Sequence, residues 1–250
     1  MKKHIFLALS LTTSSLFSQE LPEIETDRPD QTECSSVIPQ KTFQIETGYV
    51  FEKDDNFQTH YFLTSLFRIG LFQNAELRII AGEYFISQSK SDTINIRSEG
   101  FSPFSIGTKI HISEERGIIP QSCFIAHLSH EYTPFSANTI TPDFRFSMSH
   151  TLSKKVSLGY NLGGEWERSA YSFRWIYTLT TAFALTEKLG MYVEAFGDVA
   201  EKALPKHQFD AGFTFLTKNN FQFDCSGGFA LNKNSPDYFL SFGFGWRIPR

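Results

Sequence analysis

From Gln40 to the C-terminus, apolar side chains recur at every second position. That period belongs to a β-strand, whose successive side chains point to opposite faces. Phe43, Ile45, Thr47, Tyr49 and Phe51 form one face of the first such segment, with Gln44, Glu46, Gly48 and Glu52 on the other. In the last, Tyr238, Leu240, Phe242, Phe244 and Trp246 alternate with Phe239, Ser241, Gly243, Gly245 and Arg247. About ten more segments lie between them: 57–70, 75–85, 102–112, 119–131, 142–150, 156–166, 171–185, 189–197, 207–215 and 221–229, giving about twelve strands of ordinary length. Tight connections (72–74, 113–117, 152–155, 186–188, 217–220) alternate with longer ones (87–100, 132–141, 198–206). Short turns at one end and long loops at the other belong to an outer-membrane barrel. An even strand count returns both chain ends to the short-turn side, the periplasm.

Alternation alone also fits a soluble barrel or sandwich with its apolar face turned inward. Three features favour the membrane. The apolar face carries Phe, Tyr or Trp on nearly every strand, including strand ends where aromatic girdles sit. The opposite face carries Gly, Ser, Asn and charges of both signs. The last strand runs almost to the end of the chain, and in lipid a sheet must close so that every backbone group pairs. The expected fold is all-β: a transmembrane antiparallel up-and-down β-barrel of about twelve strands, formed by residues 40–250.

Composition agrees. Of 250 residues, 16% are aromatic, 27 of them Phe, which excludes a disordered chain. Beyond residue 20 no apolar run is long enough to cross a bilayer as a helix. The net charge of -4 offers no field for nucleic acid. At the start, Lys2, Lys3 and His4 precede a mostly apolar stretch from Ile5 to Phe17, and Ser18 suits a cleavage site. Residues 1–18 therefore read as a secretory signal peptide for export to the Gram-negative outer membrane. The three cysteines, Cys34, Cys123 and Cys225, are odd in number and match no metal spacing.

The polar face then defines a lumen. Arg68, Glu76, Arg78, Lys109 and His111 all fall near tight turns and should gather at the periplasmic mouth. Asp143, Arg145, Glu165, Arg174 and Glu194 belong to the long-loop side, with Asp210 and Asp224 on the far wall. They read as mutually paired charges filling a narrow barrel, or as a charged pathway that selects solutes. Residues 19–39 form an acidic periplasmic leader kept extended by Pro22 and Pro29. Asp27, Arg28, Asp30 and Glu33 make it a candidate lumen plug. Asp27 and Asp30 are expected to reach Arg68, Arg78 or Lys109, through the strong, geometry-fixing pairing of arginine with carboxylate.

Enzymatic readings fare worse. His127 and His130 point to opposite faces of a strand, because their offset is odd. Ser129 and His127 share a face, but two places apart on one strand is ordinary. Gly243-Phe244-Gly245 precedes no helix, so it is no phosphate loop; its glycines read as relief of curvature. The expectation is a protein that is not an enzyme, without cofactor or metal.

Glu25-Thr26-Asp27-Arg28-Pro29-Asp30-Gln31-Thr32-Glu33, followed by Phe43-Gln44-Ile45-Glu46-Thr47-Gly48, resembles the start of a family of bacterial outer-membrane transporter barrels, the putative MetA-pathway of phenol degradation family. Leu66-Phe67-Arg68-Ile69-Gly70-Leu71 with Asn74-Ala75-Glu76-Leu77-Arg78 resembles its second hairpin. Gly100-Phe101-Ser102-Pro103-Phe104-Ser105-Ile106-Gly107-Thr108-Lys109 resembles its fourth strand. The resemblance implies passage of small, including aromatic or hydrophobic, solutes. The expected partners are outer-membrane lipid, the barrel-assembly machinery and a small-molecule solute. A structural or adhesive barrel with an occluded lumen and a secreted soluble β protein are the competing readings.

Overall fold

A computed structural model describes residues 21–81, 84–90, 95–101, 104–133, 136–167, 172–201 and 203–249; the predicted signal peptide lies outside the described residues. Every regular element among the described residues is a strand. The first hairpin is β1 (Thr42–Asp54) and β2 (Phe57–Phe72). Next come β3 (Ala75–Ala81), β4 (Tyr84–Lys90), β5 (Asn95–Phe101) and β6 (Phe104–Ser113). They are followed by β7 (Gln121–Thr133), β8 (Ser136–Ser153), β9 (Val156–Glu167) and β10 (Ser172–Ala184). The chain ends with β11 (Leu189–Ala200), β12 (Lys206–Lys218), β13 (Phe221–Ala230) and β14 (Tyr238–Pro249).

Consecutive segments pair antiparallel around the sheet, and β1 pairs with both β14 and β2, which closes it. Both β3 and β4 pair with β2, one above the other, so β3 with β4 forms one wall strand. On the next strand, β5 pairs with β4 and β6 with β3. The result is a closed barrel of twelve strands in up-and-down order.

The alternation resolves as an inside-out protein. Phe242 is 55% exposed, Phe223 49% and Phe213 46%, whereas Arg68, Arg78 and Lys109 are 0% exposed. In water such a distribution would bury charge and expose grease, so lipid is the only consistent surroundings. Aromatics gather at both rims. Trp166, Phe173 and Trp175 pack edge to face, with ring centroids 4.8 Å apart in each step, at the end away from the chain termini. Phe221 stacks on Phe244 at 5.6 Å near the other rim.

Two expectations about connections change. The stretches 87–100 and 132–141, read as loops, are largely strand: β4, β5 and the start of β8 occupy them. Their polar, Ser- and Thr-rich composition hides an alternation that needs no grease once the strand rises past the lipid. At the terminal end, four of the hairpins carry a register shift just before the turn, at Gly70/Phe72, His111/Ser113, Thr151/Ser153 and Leu216/Lys218. Each extra residue bends the strand into its tight connection.

The lipid-facing assignment is testable at one position. Phe242→Arg should cost about 2–4 kcal/mol if its side chain lies near the bilayer midplane. Denaturant unfolding of the barrel in lipid vesicles measures it, and a neutral effect would contradict the assignment.

Candidate functional site: a leader seated inside the barrel

Sheet register brings Arg68 directly opposite Arg78 across β2 and β3. Both side chains point inward and are fully buried, so two like charges face each other. Such a pair is destabilising unless carboxylates stand between them. Glu76 supplies one: its Oε1 lies 2.7 Å from Arg68 Nε and 3.3 Å from Arg78 Nη1. Glu46 on β1 adds another, 3.1 Å from Arg68 Nη1. Lys109 on β6, in register with Glu76, brings a third buried cation.

The remaining anions come from the leader. Asp27 Oδ2 lies 2.6 Å from Arg78 and 3.3 Å from Arg68, while Oδ1 accepts from Lys109 Nζ at 2.9 Å. Glu33 pairs with Arg78 at 2.7 Å. The wall reciprocates, since Glu46 Oε2 accepts the backbone N–H of Asp27 at 2.7 Å and of Arg28 at 3.2 Å. Burial works against the Asp27 charge, but Arg68, Lys109 and Arg78 outweigh it and hold the carboxyl well below the usual carboxylate range. With the folded value depressed, its contribution is complete above the unfolded carboxylate range and is lost as pH falls through the lowered one.

The rest of the leader follows a hairpin path into the barrel and out again. It starts at the terminal end, where Ile24 N–H donates to Asn219 O at 2.8 Å and Arg247 donates to Pro22 O. It climbs β13 and β14, where Arg28 pairs with Asp224 at 2.9 Å and donates to Ser241 at 2.9 Å; the Arg28–Pro29 peptide is cis. It crosses to β10 and β11, where Thr32 meets Thr178 at 2.6 Å. It then turns along β9 and β8, with Glu33 N–H donating to Asn161 at 2.7 Å and Ser35 meeting Ser149 at 2.6 Å. It leaves past β3, where Ile38 N–H donates to Glu76 at 2.7 Å. Cys34 is inside this seat, 3.3 Å from Lys109 Nζ, and burial pushes its thiol up to about 11.

Glycines make the approach possible. Gly48 and Gly243 are in register on β1 and β14, and a Cβ on either would collide with the Arg28 guanidinium. Gly243 therefore marks a seat for the leader rather than relief of curvature.

Of the predicted lumen residues, Arg68, Glu76, Arg78 and Lys109 meet around Asp27. His111 does not join them; it faces Glu114 at 3.3 Å beside the turn. Asp30, expected at the basic cluster, lies instead near Glu194 and Asp210, because the leader has already crossed the barrel there. Glu194, assigned to the long-loop side, also belongs to the leader's seat: its oxygens accept from Gln31 and Thr32 at 2.7 and 2.5 Å. It is only five residues beyond the start of its strand, Leu189. The far half of the lumen holds Asp143, 2.9 Å from His127, and Arg174, 3.2 Å from Asp198 and 3.7 Å from Glu165. Arg145 lies two residues beyond Asp143 on β8, in register with the buried Ile125 on β7.

Sequence reasoning missed Glu46, His127 and Asn161 as leader or wall contacts. Glu46 carried a signal, since alternation already placed it on the polar face of a strand. His127 bridges Arg78 (3.1 Å) and Asp143 (2.9 Å), which only the pairing of β3, β6, β7 and β8 reveals.

A closed twelve-strand barrel with a polar interior and an apolar exterior is an outer-membrane β-barrel, here with its own N-terminal segment folded inside. Residues 26–248 match the family described as "Putative MetA-pathway of phenol degradation", and the chain belongs to it. Among solved structures it is similar to the COG4313 outer membrane channel from Pseudomonas putida F1, at 11% identity and TM-score 0.60, over 90% of this chain and 100% of that one. It is also similar to the NanC porin, at 8% identity and TM-score 0.54, over 82% of this chain and 100% of that one. These likenesses are of fold. No curated protein matches the sequence.

Removing Asp27 tests the seat. Asp27→Ala leaves three buried cations short of a shared partner and should cost the seated leader about 3–5 kcal/mol. Protease digestion of the folded barrel reads this as rapid loss of residues 22–38. A leader as resistant as in the wild type would rule out the ionic seat.

Proposed function

We propose that this protein is an outer-membrane channel for small solutes, narrowed by its own leader. The observation that carries the reading is the uneven distribution of charge around the seat. Most of the leader's ion pairs bind it to β2, β3 and β6, with Arg28 held by Asp224 on β13. Towards β9–β12 a cavity of about 580 Å³ remains, lined by Pro29, Asp30, Ser157, Ala182, Gly190 and Thr214. On this reading the small side chains among that lining leave room for a solute where the opposite wall carries long, charged ones. Lys154 and Lys155 border the cavity at a turn, and Glu23 and Glu25 border it from the leader, so its mouth carries charges of both signs.

Family membership favours aromatic compounds among the solutes. A phenol-sized molecule has a polar edge that suits the Ser and Thr rows and a flat apolar body that suits the Ala and Gly rows. On this reading residues 1–18 direct export, the barrel-assembly machinery inserts residues 40–250, and residues 19–39 serve as the constriction. No catalytic step is required.

Planar-bilayer recording tests the proposal. The wild-type barrel should show small discrete conductance steps, and deletion of residues 20–36 should enlarge them. Absence of conductance in both forms would support a structural barrel and overturn the channel reading. Equal conductance in both would remove the leader from the pathway.

A further inference from the structure

Opposite the cationic wall the leader rests on carboxylates. Glu194 and Asp210 stand in register across β11 and β12, with exposures of 1% and 0%. Glu194 already accepts two bonds from the leader, the Gln31 N–H and the Thr32 hydroxyl. The Tyr192 hydroxyl donates to Asp210 Oδ2 at 2.7 Å, and Asp210 Oδ1 is left buried with no partner. Asp30 brings a third carboxyl from the leader, close enough to feel the charges of both.

The other charged groups packed here do not neutralise the trio. Asp27 is committed to the cationic wall, and Arg28 to Asp224 on β13. Among the described residues no cation pairs with Asp30, Glu194 or Asp210. Two buried carboxylates side by side do not both stay ionised without a counter-charge. A proton held between Asp210 Oδ1 and Glu194 would remove the repulsion and give the orphaned oxygen its hydrogen bond.

We propose that the Glu194–Asp210 pair is a proton-operated latch on the leader. With one proton shared by the pair, Glu194 faces the leader and holds Gln31 and Thr32. When the proton leaves for solvent, the pair carries two charges beside Asp30, and the leader's crossing segment is pushed off β11. Asp30 and Tyr192 line the 580 Å³ cavity, which gives the proton a route to bulk water. The latch opens towards alkaline pH, whereas the Asp27 seat weakens only in strong acid. The two ends of the leader thus answer to opposite pH changes.

The test does not depend on conduction. The full-length barrel, reconstituted in vesicles, is digested with a protease active from pH 6 to pH 9, and cleavage within residues 22–38 is timed. Asp210→Asn keeps a permanent donor towards Glu194 and serves as the pH-insensitive reference for the protease itself. The ratio of cleavage rates at pH 9 and pH 6 should be about ten times larger in the wild type than in Asp210→Asn, the effect of displacing one proton equilibrium by about a unit. Equal ratios overturn the proposal. Should Asp210→Asn fail to assemble, Asp30→Asn is the second variant: it removes the third carboxyl and should shrink the ratio, and an unchanged ratio is again fatal.

Discussion

Two arginines facing each other across neighbouring strands set the terms for the interior of this barrel. The register of β2 and β3 is set by which face meets lipid, and a slip of one residue would turn every side chain over. Once that register is set, Arg68 and Arg78 must coexist inside, dry and adjacent. Neither can leave, because the strands beside them are closed into a ring. The wall answers with Glu46 and Glu76, but Lys109 adds a further cation. The segment that supplies the missing carboxylates is the one that precedes the first strand. The leader is therefore part of the core and not an accessory to it.

This explains why the protein has a polar core at all. In a water-soluble domain of this size, the largest fully buried side chains are apolar. Here they are Arg68, Arg78, Lys109, Gln44, Glu46, Glu76 and Glu194, with Ile125 a lone large apolar companion. Lipid absorbs the apolar residues, so the interior is free to be built from directional contacts. Ion pairs and hydrogen bonds specify geometry, and they hold an extended segment with little secondary structure of its own in one path. The wall glycines at Gly48 and Gly243 show the same logic from the other side, since the Arg28 guanidinium of the leader lies where a side chain on either would be.

The seat is chemically lopsided, and the lopsidedness gives the lumen a function. Long charged side chains on β2, β3 and β6 reach out to the leader and fill their half of the barrel. Short side chains on β9, β10 and β12 line the cavity left on the other side. On the proposed reading a solute enters beside Ser157, Ala182, Gly190 and Thr214, while the ion pairs of Asp143, Glu165, Arg174 and Asp198 lie in the far half of the barrel. Charges of both signs border the cavity, which on the proposed reading suits small neutral molecules with one polar edge better than ions.

Much of this was readable from residue order, because a strand's two-residue period is a purely local property. Alternation repeated over about twelve segments from Phe43 to Trp246 assigns faces and strand number, and the aromatic content of the apolar rows assigns the membrane. It also places Arg68, Arg78 and Lys109 inside, and the excess of acid in residues 19–39 points to them as a destination. Local pattern could not say where polar strands end, so β4, β5 and the first turn of β8 passed for loops. Nor could it say which lumen groups meet. Asp27 and Asp30 are three residues apart and look equivalent, yet one joins three cations and the other two carboxylates. Glu46 and His127 entered the site, and His111 left it, for the same reason. Which wall a carboxylate faces depends on the path of an extended segment through a closed ring, and that path is set by the sum of contacts from ten or so strands at once. Periodicity along the chain decides in or out; only the closed tertiary structure decides opposite whom.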